Sequence, residues 1–132
     1  MTDAQFAGGC LCGAVRFEAR GEPYRVGICH CMDCRKHSGS VFGAFAIFPA
    51  EAVTITGDAK SYGDRRFCPK CGSPVFGDWG DEIGLHLGSL DAPSQLKPSY
   101  ELWMPRREGW LPEFDVARRY HGNREGRGRS EP

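Results

Sequence analysis

The chain of 132 residues has no net charge, because seventeen Lys and Arg balance seventeen Asp and Glu. That argues against the basic field by which a whole domain grips nucleic acid or an anionic membrane. No apolar run approaches the length of a membrane-spanning helix. The opening residues, Met-Thr-Asp-Ala-Gln-Phe-Ala-Gly-Gly, lack both the basic segment and the apolar core of a secretory leader. The expectation is a cytoplasmic protein with no membrane partner, whose thiols stay reduced. Sustained helical periodicity is missing too. So are phosphate-binding loops, dinucleotide fingerprints and Ser-His-Asp arrangements.

What the chain has in excess is glycine, 18 residues, and cysteine, 7 residues. An odd cysteine count excludes complete disulfide pairing within one chain. Cys10 and Cys12 are separated by a single residue, as are Cys29 and Cys31, and a bridge at that spacing would be strained. Thiolate–metal bonding is the alternative.

Short apolar segments punctuated by Gly and Pro predict a single, mostly β domain over residues 1–116. Residues 13–20 alternate Val15, Phe17 and Ala19 with charged side chains, the pattern of a half-buried strand. Val41 to Phe48 is continuously apolar and reads as a strand covered on both faces. Further strands are expected around 24–31, 53–55, 62–67, 74–76, 83–87 and 100–104. Residues 31–38 read as a turn or one helical turn. Residues 117–132 are rich in Gly and Arg and poor in apolar side chains, and are expected to be a basic, disordered tail.

The cysteines form three groups: Cys10-Leu-Cys12, Cys29-His-Cys31-Met-Asp-Cys34 and Cys68-Pro-Lys-Cys71-Gly72. An extended Cys-x-Cys aims both side chains the same way. Cys-x-x-Cys-Gly places two sulfurs on one side of a tight bend. Soft thiolates in a reducing compartment select zinc. Cys10, Cys12, Cys68 and Cys71 together would satisfy a closed, structural zinc. Cys29, Cys31 and Cys34 would hold a second zinc with a free position, the arrangement of a reactive site. Spacing also permits Cys10/Cys12 to pair with Cys29/Cys31, and permits His30, Asp33 or His37 to close the second site.

Four stretches resemble the glutathione-dependent formaldehyde-activating enzyme family, which includes centromere protein V. They are Gly9-Cys-Leu-Cys-Gly-Ala-Val-Arg16, Cys29-His-Cys-Met-Asp-Cys-Arg-Lys-His-Ser-Gly39, Arg66-Phe-Cys-Pro-Lys-Cys-Gly-Ser73 and Gly88-Ser-Leu-Asp91. The resemblance covers residues 8–111. It implies a β-tent fold of short antiparallel strands held by zinc–thiolate knuckles, with two zinc ions per chain divided as above. It also implies carbon–sulfur lyase activity, the condensation of glutathione with formaldehyde to S-hydroxymethylglutathione and its reversal. A fold and a metal set do not fix a substrate, so another small electrophile, or a non-catalytic binding module, remains open.

In the enzyme reading the second zinc lowers the pKa of a small thiol such as glutathione. Arg35 and Lys36 are candidates to hold a carboxylate of that thiol, and Ser38, Gly39 and Ser40 to donate hydrogen bonds. Arg65 and Arg66 are expected as solvated charges and His86 as a satisfied strand residue. Trp79, Trp103 and Trp110 are expected as packing residues.

Overall fold

The computed structural model describes residues 4–125 and 128–131. In chain order its strands are β1 (Gln5–Gly9), β2 (Arg16–Arg20), β3 (Arg25–Cys29), β4 (Gly43–Pro49), β5 (Val53–Thr56) and β6 (Lys60–Tyr62). They continue with β7 (Arg65–Phe67), β8 (Pro74–Asp78), β9 (Glu82–His86), β10 (Tyr100–Leu102) and β11 (Arg118–Arg119). Helix α1 (Met32–Ser38) follows β3. No helix among the described residues is long and apolar enough to cross a membrane.

The mostly β expectation holds, and short strands build two sheets. One runs β1-β2-β5; the other runs β11-β10-β3-β4-β9-β8-β7-β6. Two details differ from the expected strands and their antiparallel arrangement. Strand β1 forms where no alternation announced a strand, by pairing Gln5–Gly9 with Arg20–Arg16. Strand β10 lies parallel to both β3 and β11. Parallel pairing needs a long crossover between the partners, which no local pattern can signal.

Alternation along the strands divides the large sheet into two faces. Val26, Ala46, Phe48 and Leu85 turn toward the small sheet and pack with Phe6, Phe17 and Ala19 in one buried cluster. The rings of Phe6 and Phe48 lie 5.8 Å apart across this core. Arg25, Gly27 and Cys29 point to the opposite face, opposite Ile47, Phe45 and Gly43 respectively. His86 stands beside Phe45, and Gly84 beside Ile47, on that same face. So β4 packs into the core on one face, and on the other its Phe45 and Ile47 line a cavity.

Two arrangements tie distant segments together. Arg16 donates to both carboxylate oxygens of Asp91, at 2.8 and 2.5 Å. Fully buried His30 meets fully buried Glu101 at 2.7 Å. Arg107 and Arg119 approach the same carboxylate at 3.1 and 3.4 Å. The first arrangement joins the first and last of the sequence motifs. The second anchors the chain between Cys29 and Cys31 to β10.

The described residues of the basic segment 117–131 make specific contacts. Ala117 and Tyr120 donate backbone hydrogen bonds to Ser99 and Glu101. Arg124 and Tyr120 hold the buried Glu131 carboxylate, both at distances of 2.8 to 3.1 Å. Arg129 pairs with Asp81 and Glu82. Ion pairs and edge hydrogen bonds here take the place of apolar burial, and composition does not report them.

Candidate functional site

The outer cysteines converge, the grouping that counting donors favoured and spacing alone left open. Cys10, Cys12, Cys68 and Cys71 bring their sulfurs within 4.8 Å of one another. Cys12 lies 3.7 Å from both Cys10 and Cys68. Two ligands of a tetrahedral zinc with bonds of ~2.3 Å stand roughly 3.8 Å apart, so the donor set fits that ion. Cys68 is fully buried while Cys12 is exposed, which places the group at the edge of the core.

Local hydrogen bonds shape both halves. Gly72 N–H donates to the Cys68 carbonyl at 2.8 Å, and Lys70 N–H approaches the Cys68 sulfur at 3.4 Å. Gly72 has φ +80, so the bend uses a conformation that favours glycine. Cys10-Leu-Cys12 departs from the extended geometry expected of it. It is a turn closed by Gly13 N–H on the Cys10 carbonyl, with Val15 N–H at 3.2 Å from the Cys10 sulfur. Hydrogen bonding to Ser73 lowers the Cys71 pKa to about 5, favouring the thiolate.

Cys29, Cys31 and Cys34 form a separate group, again with sulfurs within 4.8 Å. Cys29 ends β3, Cys31 caps α1 by accepting the Cys34 N–H at 3.3 Å, and Cys34 lies in the first turn. The helix has two turns rather than the single turn expected, and Gly39 ends it at φ 66. Hydrogen bonding from Cys29 lowers the Cys34 pKa to about 6 against the opposing effect of burial, with Cys31 and Arg65 assisting. Cys29 and Cys31 move upward instead. Three sulfurs without a fourth protein donor suit a zinc with an exchangeable position. His30 does not close the group, since its ring is turned to Glu101. Neither Asp33 nor His37 belongs to the cluster among the described residues.

A cavity of about 510 Å³ opens on the outer face of the large sheet, with Cys29 and Cys34 in its wall. Phe45, Ile47, Trp79, Tyr100 and Leu102 are among its apolar lining residues. Two glycines shape one side: a Cβ on Gly84 would sit 2.5 Å from the Trp79 ring, and one on Gly77 would sit 3.1 Å from it. The indole therefore packs closely against these two strands, and its N–H donates to Asp64 at 2.8 Å. The Phe45 and His86 rings meet edge-on at 4.7 Å. Burial, aided by positive charge from His37 and Arg65, lowers the His86 pKa to about 4. Burial and Arg65 also lower the pKa of His37, whose ring lies 6.0 Å from that of His86.

The residues expected to flank a substrate are placed differently. Arg35 binds Glu108 and donates to the Arg106 carbonyl at 3.0 Å. Lys36 is exposed. Ser38 Oγ reaches the Arg35 carbonyl at 3.3 Å, and Gly39 is the helix C-cap. Ser38 and Ser40 line a second cavity of about 440 Å³, which shares His86 with the first. Arg65 and Trp79, expected as solvated charge and packing, line the large cavity. Arg65 belongs there because strand alternation puts it on the same face as its partner Gly77. That pairing was invisible beside an adjacent Arg66, which instead faces Asp78 at 3.8 Å. Trp103 donates to Asn123 at 2.9 Å, and Trp110 is exposed.

The model of the glutathione-dependent formaldehyde-activating enzyme family matches residues 5–106. A protein of Schizosaccharomyces pombe named as an uncharacterized lyase is 30% identical over 77 residues, 54% of this chain and 56% of that protein. The chain thus spans little more than half the length of that curated relative. A crystal structure of a Rhodobacter sphaeroides protein covers 70% of this chain and 91% of its own, with 19% identity and a TM-score of 0.48.

Proposed function

The chain belongs to the glutathione-dependent formaldehyde-activating enzyme family, and from that premise we propose that it is a zinc-dependent carbon–sulfur lyase acting on thiol–aldehyde adducts. Cys29, Cys31 and Cys34 are the ligands of the reacting site, and Cys10, Cys12, Cys68 and Cys71 those of a structural zinc. The observation that carries this reading is a three-thiol group of which two members, Cys29 and Cys34, stand in the wall of a cavity large enough for a small ligand. The name of the yeast relative agrees with a lyase. Reduced thiols of this kind fit a reducing compartment such as the cytoplasm.

When bound by three thiolates, zinc supplies a Lewis acid that favours the thiolate form of a substrate thiol. The chain's own residues do the rest. The Cys29–Cys34 wall and the apolar side chains exclude water from the reacting sulfur. Arg65 offsets negative charge beside Cys34. His86 and His37 are held neutral by burial, so they serve as hydrogen-bonding groups rather than as charges. In the forward direction a bond forms between the thiol sulfur and the formaldehyde carbon, and the thiol proton ends on the new hydroxyl. The reverse breaks that bond and returns the proton to sulfur. No oxidation occurs. Orientation is the main service required, because thiols add to formaldehyde unaided.

Zinc analysis and magnetisation-exchange NMR of thiol–formaldehyde adducts test this together. Wild type is expected to hold close to two zinc ions per chain and to accelerate exchange. Cys31→Ser is expected to hold about one, to stay folded, and to lose at least about a hundredfold in exchange rate, the range for removing electrostatic stabilisation of a reacting group. Unchanged exchange in that variant overturns the lyase reading.

A further inference from the structure

We propose that Arg65 and His86 are the donors that receive the aldehyde oxygen, the atom that becomes the hydroxyl of the adduct. This rests on the reading of Cys29, Cys31 and Cys34 as the reacting centre. Both residues line the cavity together with Cys29 and Cys34. Arg65 donates to the Cys34 sulfur. It forms no ion pair among the described residues, and a guanidinium has more N–H groups than that one bond uses. His86 reaches the same place through its neighbours. A Cβ on Gly43 would stand 2.8 Å from the Phe45 ring and 3.4 Å from the Cys34 Cβ, so that ring and Cys34 adjoin. The His86 ring meets Phe45 edge-on at 4.7 Å. The positive charge of Arg65 is felt at both His37 and His86, which draws the four side chains into one group with Cys34.

His86 is only 9% exposed, yet its imidazole makes no hydrogen bond among the described residues. A polar ring so deeply buried calls for a partner, and the cavity is where one can enter. The other donors of the wall are engaged or distant from this group. Arg25 is held by Glu82 at 3.0 Å and meets the Tyr100 hydroxyl, and Arg124 is held by Glu131 at 2.8 Å. Asn123 sits on the exposed rim, where its side-chain oxygen accepts the Trp103 indole N–H at 2.9 Å. Asp64, Glu82 and Glu125 are carboxylates, which accept rather than donate. The chemistry asks for donors beside the sulfurs. As the sulfur–carbon bond forms, the carbonyl π pair moves onto oxygen, and that oxygen takes up the proton equivalent given up by the thiol. Negative charge thus develops one carbon away from the reacting sulfur. A fixed guanidinium and a neutral imidazole N–H, both in place beforehand, stabilise it without reorganisation.

Magnetisation-exchange NMR over a range of glutathione–formaldehyde adduct concentrations separates the saturated rate from half-saturation. Arg65→Met and His86→Phe are each expected to lower the saturated rate about a hundredfold, the range for loss of one such donor. Half-saturation is expected to stay within about threefold, and zinc close to two ions per chain. Arg65→Lys and His86→Gln keep a donor and are expected to recover part of the rate. A second measurement needs no turnover. In zinc-loaded protein with nitrogen-15 in its imidazoles, the His86 ring N–H is expected to shift downfield when formaldehyde joins glutathione, and not with glutathione alone. A saturated rate that Arg65→Met and His86→Phe leave unchanged overturns the proposal, as does an unmoved His86 resonance. A wild type that shows the shift but does not accelerate exchange overturns the lyase reading alone, because the resonance reports contact with the oxygen rather than catalysis.

Discussion

At the scale of single residues the cavity depends on groups kept in one charge state. His86 is the clearest: burial first, then His37 and Arg65, lower its pKa from 6.5 to about 4. An unfolded chain takes up this proton near pH 6.5, whereas the folded chain resists it until about pH 4. The unfolded state thus binds more protons between those values, and stability falls as pH drops through that window. His86→Gln is expected to lose less melting temperature than wild type between pH 7 and pH 5. Acid release of zinc acts on both proteins, so the difference between them isolates the imidazole. Equal losses would show that His86 does not titrate in this way. Position by itself did not reveal this residue's surroundings, since its strand neighbours Leu85 and Leu87 make it look like any polar residue in an alternating pattern.

At the scale of elements, β10 carries more than its three residues suggest. Glu101 lies opposite Ile28 in parallel register and its carboxylate meets His30, Arg107 and Arg119. His30 sits between two of the three clustered cysteines, so this buried group fixes the loop that presents them. Removing the carboxylate would leave half-buried Arg107 without its anion and buried His30 without its hydrogen-bond partner. Glu101→Ala is expected to cost about 3 kcal/mol in denaturant unfolding, the lower end for a broken buried pair because Arg119 is partly exposed. A cost near zero would mean that the network is not buried as described. Most of the strands and the turn that holds Cys68 and Cys71 were legible locally, from alternation, from Gly and Pro, and from spacing, whereas β1 and the turn at Cys10 and Cys12 were not. The parallel neighbour of β3 was not, because 71 residues separate His30 from Glu101.

At the scale of the whole molecule, the last segment completes the cavity rim. Asn123, Arg124 and Glu125 line it, Arg124 lies over the Tyr100 ring at 5.5 Å, and Arg129 over Tyr24 at 5.4 Å. A chain ending after Gly122 is expected to bind both zinc ions and to unfold in one transition, since neither cluster nor core draws on the removed residues. Its rate of thiol–formaldehyde adduct exchange is expected to fall several-fold as the rim opens to water. An unchanged rate would show that the tail does not bound the site.

The amino-acid sequence by itself determined the fold class and the cysteine groups that could hold metal ions. Thiol spacing, strand alternation and turn residues are local properties, and short-range sterics express them wherever the chain lies. The grouping of Cys10 and Cys12 with Cys68 and Cys71 followed from counting donors, and the sulfurs do converge. Only the tertiary structure decided what faces those sulfurs. Arg35 left the candidate site because Glu108 binds it, and Arg65 entered because β7 pairs with β8 in a register that turns it inward. The tail joined the rim through ion pairs to Asp81, Glu82 and the buried Glu131 carboxylate. Such pairings join residues far apart in the chain, and their geometry exists only once the sheets have formed.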